Sequence, residues 1–134
     1  MALVFSTIAN DGMRPTPRLV RSVGDEPAAE PEPTVALNPA SARMVGQVLA
    51  DAYRAGAAGA GLPQEGIAGT ARAADPGIPG APDHAWFVGY APADASSADA
   101  PRYAVAVIVE HAGDAWGVAA PIGVQMLEWA QEME

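Results

Sequence analysis

The sequence predicts an α+β fold, an antiparallel sheet of about three strands packed against helices. Three observations predict it. Arg102–Glu110, RYAVAVIVE, is the most β-prone run in the chain. Its Val105, Val107 and Val109 point to one face, with Tyr103 leading, and Ala104, Ala106 and Ile108 point to the other. Both faces are apolar, which is the pattern of a strand covered on both sides. His84–Pro92, HAWFVGYAP, is a second, aromatic run, and Pro92–Pro101 between them is built of Ala, Asp, Ser and Pro. Two strands joined by such a loop form an antiparallel hairpin. Finally, wide apolar stripes at helical spacing elsewhere need a sheet to lie on.

Composition narrows the function classes. The 134 residues make one domain, 1–134, long enough to bury a core. There is no cysteine, which removes disulfides, thiol catalysis and Cys-ligated metal. The formal net charge is −9, and all seven basic residues are Arg. No dense basic patch exists, so no nucleic acid is expected as a partner. No apolar run reaches the length of a membrane span, and no basic region precedes an apolar run as in a signal peptide.

The helices and loops follow in order. Met1, Val4, Phe5 and Ile8 form one helical apolar face. Asn10-Asp11-Gly12 stops that helix, with Gly12 placed for a left-handed cap. Pro15 and Pro17 forbid its continuation. Met1 reads either as an internal position turned into a start or as the start of a short helix. Arg18–Val23 suits a short strand. Gly24–Pro33, GDEPAAEPEP, is an acidic, Pro-rich exposed loop. Asn38-Pro39 opens a second helix, with Asn as cap and Pro at the first position. Its stripe of Met44, Val45, Val48, Leu49 and Ala52 is expected in the core, with Arg43, Gln47, Asp51 and Arg54 outside. Gly56 and the Gly/Ala run to Gly61 end it. Val118–Glu132 is a third helix, with Pro121 in its first turn and Ile122, Met126, Trp129 and Met133 on one face. Gly123, Leu127 and Ala130 widen that stripe.

Four segments in order carry a family resemblance. MALVFSTIANDGMRPTPRLV, GIAGTA (Gly66–Ala71), HAWFVGYAP with PRYAVAVIVE, and VAAPIGVQMLEWA together resemble the later part of the penicillin-binding-protein transpeptidase domain. The resemblance implies the C-terminal lobe of that serine β-lactamase-like fold. The family crosslinks peptidoglycan peptides by acylating a serine in a Ser-x-x-Lys motif, aided by Ser-x-Asn and Lys-Thr-Gly motifs. It is membrane-anchored, with this domain on the extracytoplasmic side. GIAGTA falls where the family carries Lys-Thr-Gly. Ile67 stands in the Lys place and Ala68 in the next, whereas Gly69 and Thr70 match. Ile carries neither charge nor proton, and Arg72 is no substitute because it keeps its proton at neutral pH. What the resemblance leaves at Gly69, Thr70 and Ala71 is the backbone shape of a strand along which a cell-wall peptide or β-lactam docks. An inert sheet edge is the competing reading.

Other candidate residues form no constellation. His84 and His111 sit on different strands without metal-ligand spacing to carboxylates, so no metal or other cofactor is expected. Ser6, Ser22, Ser41, Ser96 and Ser97 lack a nucleophile motif. A chain without lysine holds no Ser-x-x-Lys. The sequence is therefore read as a C-terminal fragment or degenerate homologue of the transpeptidase domain, without catalysis of its own. The alternative is an interaction module that binds a partner chain or cell-wall peptide along its sheet edge. With the neighbouring strands of the family's sheet missing, Tyr103–Glu110 becomes a long edge without Pro or Lys. A homo-oligomer, or a complementing chain, is expected through strand 103–110.

Overall fold

The computed structural model describes residues 1–29, 31–94 and 103–133. Helix α1 (Ala2–Ala9) is followed by two small two-stranded ladders, β1 (Met13–Arg14) with β4 (Thr34–Val35) and β2 (Ser22–Val23) with β3 (Glu26–Pro27). Helix α2 (Pro39–Ala60) leads to strands β5 (Ala68–Ala74), β6 (His84–Ala91) and β7 (Tyr103–Val109). A π-helical turn, Ala115–Ala119, runs into α3 (Ala120–Glu132). The main sheet is antiparallel in the order β5-β6-β7. The α+β architecture and the hairpin of two strands are as the sequence predicts. The tip of that hairpin, 95–102, lies outside the described residues.

The strand covered on both sides is β6, not β7. Phe87 is fully buried on one face and Val88 and Tyr90 are buried on the other. In β7, Val105, Val107 and Val109 pack against the core, but Ala106 and Ile108 face water. The cause is the topology: β7 is an edge, and α1 covers only the part of the second face near Ala68, Val88, Tyr90 and Ala104. Trp86 and Ile108, opposite each other in register, lie beyond it.

The larger core lies on the Phe87 face. It joins Tyr53 and Ala57 of α2, Ile67, and Val124 and Leu127 of α3. Phe87 meets the Tyr53 ring edge-on, with centroids 6.3 Å apart, and Tyr53 in turn meets Trp116 at 6.0 Å. Small residues let these rings in. A side chain at Gly123 would collide with the Phe87 ring, and one at Gly56 would collide with Trp116.

That packing overturns the expected helix faces. In α2 the buried positions are Ala42, Gly46, Tyr53 and Ala57, while Met44 is 67% exposed and Val45, Val48 and Ala52 also face outward. Leu49 alone of the expected stripe is half-buried, against Val88 and Tyr90. In α3 the buried face is Ala120, Gly123, Val124 and Leu127, and Ile122, Met126, Trp129 and Met133 are exposed. In α1, Phe5 and Ala9 are buried, but Met1 and Val4 are not. Close approach to aromatic rings at Gly46 and Gly56 of α2 and Gly123 of α3 favours the glycine-bearing face of these two helices. Arg43, Gln47, Asp51 and Arg54 lie outside as expected.

The helix ends behave as their residues dictate. Asn38 caps α2, its side chain accepting from the Ala40 N–H at 2.8 Å, and Gly61 closes the helix in the left-handed region at φ 69°. Gly56 does not break it. After α1 both Asp11 and Gly12 are left-handed, with φ of 48° and 87°. The 24–33 segment is not wholly a loop: Gly24 and Asp25 turn the chain so that Val23 opposes Glu26. Of the strand expected at Arg18–Val23, only Ser22–Val23 forms.

Two measurements check this core. Gly123→Ala is expected to lose about 1–3 kcal/mol in urea unfolding through the clash with Phe87. Gly59→Ala, in α2 with open space around it, is expected to gain about 0.5–1 kcal/mol. Equal effects would contradict the packing.

The second concerns pH. Burial, with the Glu128 charge adding to it, pushes the Tyr53 hydroxyl up to about 12. Burial also raises Tyr90. Unfolded tyrosine ionises near pH 10, so both residues hold their protons longer in the folded chain. Their contribution is complete below pH 10 and is lost as pH rises toward 12. For Tyr53 this loss is about 1–2 kcal/mol. The urea midpoint should fall across that window, and Tyr53→Phe should flatten the fall. A midpoint that holds or rises there contradicts the burial.

Candidate functional site

Strand β5 carries the residues singled out by sequence. Gly69 and Ala71 are buried and Thr70 is half-buried. Gly69 stands opposite Gly89 and Thr70 opposite Val88. A Cβ on Gly69 would lie 2.7 Å from the Val88 carbonyl oxygen and 3.4 Å from the Phe87 ring. The glycine is thus required by the contact of β5 with β6, whether or not anything docks on the strand. Ile67, in the Lys place, is 4% exposed and belongs to the main core. A cation in that position would be buried among apolar side chains. Ala68 is buried on the opposite face, beside Phe5 and Tyr90.

The other candidates lie away from Gly69–Ala71; His84 pairs with Ala74 at the far end of β5. The hairpin register brings His84 and His111 together, with ring centroids 4.7 Å apart. His84 Nδ1 accepts from the His111 backbone N–H at 3.1 Å, so its proton sits on Nε2. His111 Nδ1 lies 3.3 Å from the Pro82 carbonyl oxygen, which fits donation from that nitrogen. His111 itself has a left-handed φ of 53°. These contacts close the β6–β7 end of the sheet. Pairing residue 85 with residue 109 is the signal that could have revealed the meeting. Among the described residues no group of three or more His, Asp or Glu side chains is placed to hold a metal. The Ser6 hydroxyl donates to the Ala2 carbonyl within its own helix. Ser22 and Ser41 lie on the surface, and Ser96 and Ser97 are outside the described residues. No helix among the described residues is long and apolar enough to cross a membrane.

Residues 1–128 match the family model of the penicillin binding protein transpeptidase domain. The chain is 32% identical, over 146 aligned residues, to the peptidoglycan D,D-transpeptidase PbpA of Mycobacterium tuberculosis. That alignment covers 99% of this chain and 29% of the relative. Among solved structures, penicillin-binding protein A of M. tuberculosis as its imipenem acyl-enzyme complex superposes with a TM-score of 0.76 at 30% identity, covering 97% of this chain and 29% of that one. A crystal structure of the same protein gives 0.74 at 28% identity, with 97% and 33% covered. The chain therefore spans about three-tenths of the length of these relatives. With a match along nearly its whole length, and a fold that superposes on those structures, it belongs to the penicillin-binding protein transpeptidase family.

Proposed function

We propose that this chain is a non-catalytic lobe of a transpeptidase, which contributes scaffold rather than nucleophile to a larger assembly. The observation that carries this reading is Ile67. It occupies the Lys place of the Lys-Thr-Gly motif and is built into the core, in a chain that has no lysine anywhere. Neither the charge nor the proton acceptor of the family's serine chemistry is supplied from this strand. For Gly69, Thr70 and Ala71 the proposal keeps a backbone role, that of a docking edge for an extended cell-wall peptide or β-lactam. The solved relative is acylated by imipenem and by ceftriaxone, as its complexes record. This chain, incubated with imipenem and weighed intact, should show no adduct. Stoichiometric addition of the drug's mass would overturn the reading.

The same reading extends to a partner through β7. A compact monomer of 13.6 kDa exposes about 6,600 Å². This chain exposes 8,339 Å². Met44, Val48, Met126 and Trp129 on α2 and α3 and Ile108 on β7 are exposed apolar side chains. The excess, about 1,700 Å², is roughly twice what a standard interface removes from one partner. Strand β7 is an edge with aliphatic residues and no Pro, Lys or bulge. We therefore assign it to pairing with a strand of a second copy, with a complementing chain as the other occupant. The outward residue to change is Ile108, since Val107 packs into the core. Sedimentation equilibrium at tens of micromolar should give an oligomer for the wild type and a monomer for Ile108→Lys. A wild-type monomer would refute the pairing, and an oligomer indifferent to Ile108→Lys would move the contact to the helices.

A further inference from the structure

A cavity of about 470 Å³ opens between α1, the first half of α2 and the last residues of β6. Ligand sites commonly begin at about 300 Å³. Small residues make the space: Ala42, Gly46 and Ala50 line the α2 wall, and Ile8 lines the α1 wall. This cavity is distinct from the Gly69–Ala71 edge and its interpretation does not depend on the proposed function.

Tyr90 forms its floor. The residue is 2% exposed, and its hydroxyl points at Gly46, where a Cβ would lie 2.7 Å from the oxygen. Gly46 is what leaves the hydroxyl its room. The hydroxyl has no hydrogen-bond partner among the described residues. Yet no side-chain polar atom among them is sealed away from solvent without a partner. The phenol oxygen is therefore open to the cavity. An oxygen open to the cavity makes its hydrogen bonds there, to water or to a ligand that displaces it.

The rim decides the charge of what answers. Arg43 grips Asp11 with two hydrogen bonds, Nε to Oδ1 at 3.0 Å and Nη2 to Oδ2 at 3.1 Å. The guanidinium is thereby used. An anion would meet the Asp11 carboxylate and a cation already engaged by it. A neutral group meets Tyr90 as donor, apolar walls, and the Gln47 side chain one turn beyond Arg43. We propose that this cavity binds a small neutral amide or carbonyl compound, whose oxygen accepts a hydrogen bond from the Tyr90 hydroxyl.

Benzamide is the probe, with benzoate as its anionic counterpart. Each is titrated into the ¹⁵N-labelled chain and followed by NMR. Benzamide should shift the Ala42, Gly46 and Ala93 amides saturably, and benzoate should bind at least tenfold more weakly. Tyr90→Phe removes one hydroxyl and should weaken benzamide roughly three- to tenfold, the size of one hydrogen bond, while its spectrum stays dispersed. Gly46→Ala should abolish the binding. If that variant fails to fold, Tyr90→Phe decides alone. No saturable shift, shifts elsewhere in the chain, equal binding of benzoate, or an unchanged affinity in Tyr90→Phe would each overturn the site.

Discussion

The Phe87 ring is the constraint on which the rest of the structure depends. It is fully buried at the centre of β6. Glycines surround it: Gly69 across the strand pair, Gly89 two residues on, and Gly123 above it on α3. Tyr53 closes the remaining side edge-on. A ring that close to α3 admits only the small face of the helix, so Gly123 goes inward and Ile122, Met126 and Trp129 go outward. The same logic repeats where Trp116 lies against Gly56, and it turns α2 so that Met44 and Val48 face water. Aromatic anchors seated on glycine are the device by which a chain with eight aromatic residues, two Phe, three Trp and three Tyr, fixes two helices on one sheet.

The same ring bears on the chemistry. Gly69 belongs to the remnant of a substrate strand by resemblance, but its place beside Phe87 and the Val88 carbonyl is sufficient reason for a glycine. Ile67 next to it has joined the core. On the reading proposed above, the strand keeps its geometry for packing without the side chains that serve catalysis in the family. Fold and activity are separable in this way because the activity resides in a few side chains set on the scaffold.

Much of the fold was legible in the sequence, and the main failures lay in which face of an element is covered. The alternation in Tyr103–Val109 and the aromatic run at His84–Ala91 announced the hairpin, since period-two patterning survives in the fold. Asn38, Pro39 and Gly61 marked the ends of α2 because capping is local chemistry. The buried faces of α2 and α3 were misread because a stripe of large apolar residues was assumed to seek the core. Which face wins depends on how near the neighbouring ring stands, and that is tertiary information. The π-helical turn was missed for a similar reason: nothing in AWGVA distinguishes it from an ordinary first turn, although Asp114 does cap it by accepting from Gly117 N–H. For the candidate site, the apolar character of Ile67 was readable from residue type alone, and the structure buries it in the core. The meeting of His84 with His111 and the opening of Tyr90 onto a cavity required the register and the helix placement.

The outward-turned side chains of α2 and α3 also leave a calorimetric signature. Heat capacity rises on unfolding because apolar groups enter water, typically by roughly 12–15 cal/mol/K per residue. Here Met44, Val48, Met126, Trp129 and Met133 are in water already. The isolated chain has less left to expose, so its heat-capacity increment is expected at or below the low end of that range, with a flatter stability curve. Covering those faces would raise the increment, so the heat capacity of unfolding becomes a gauge of how much of that surface is occupied.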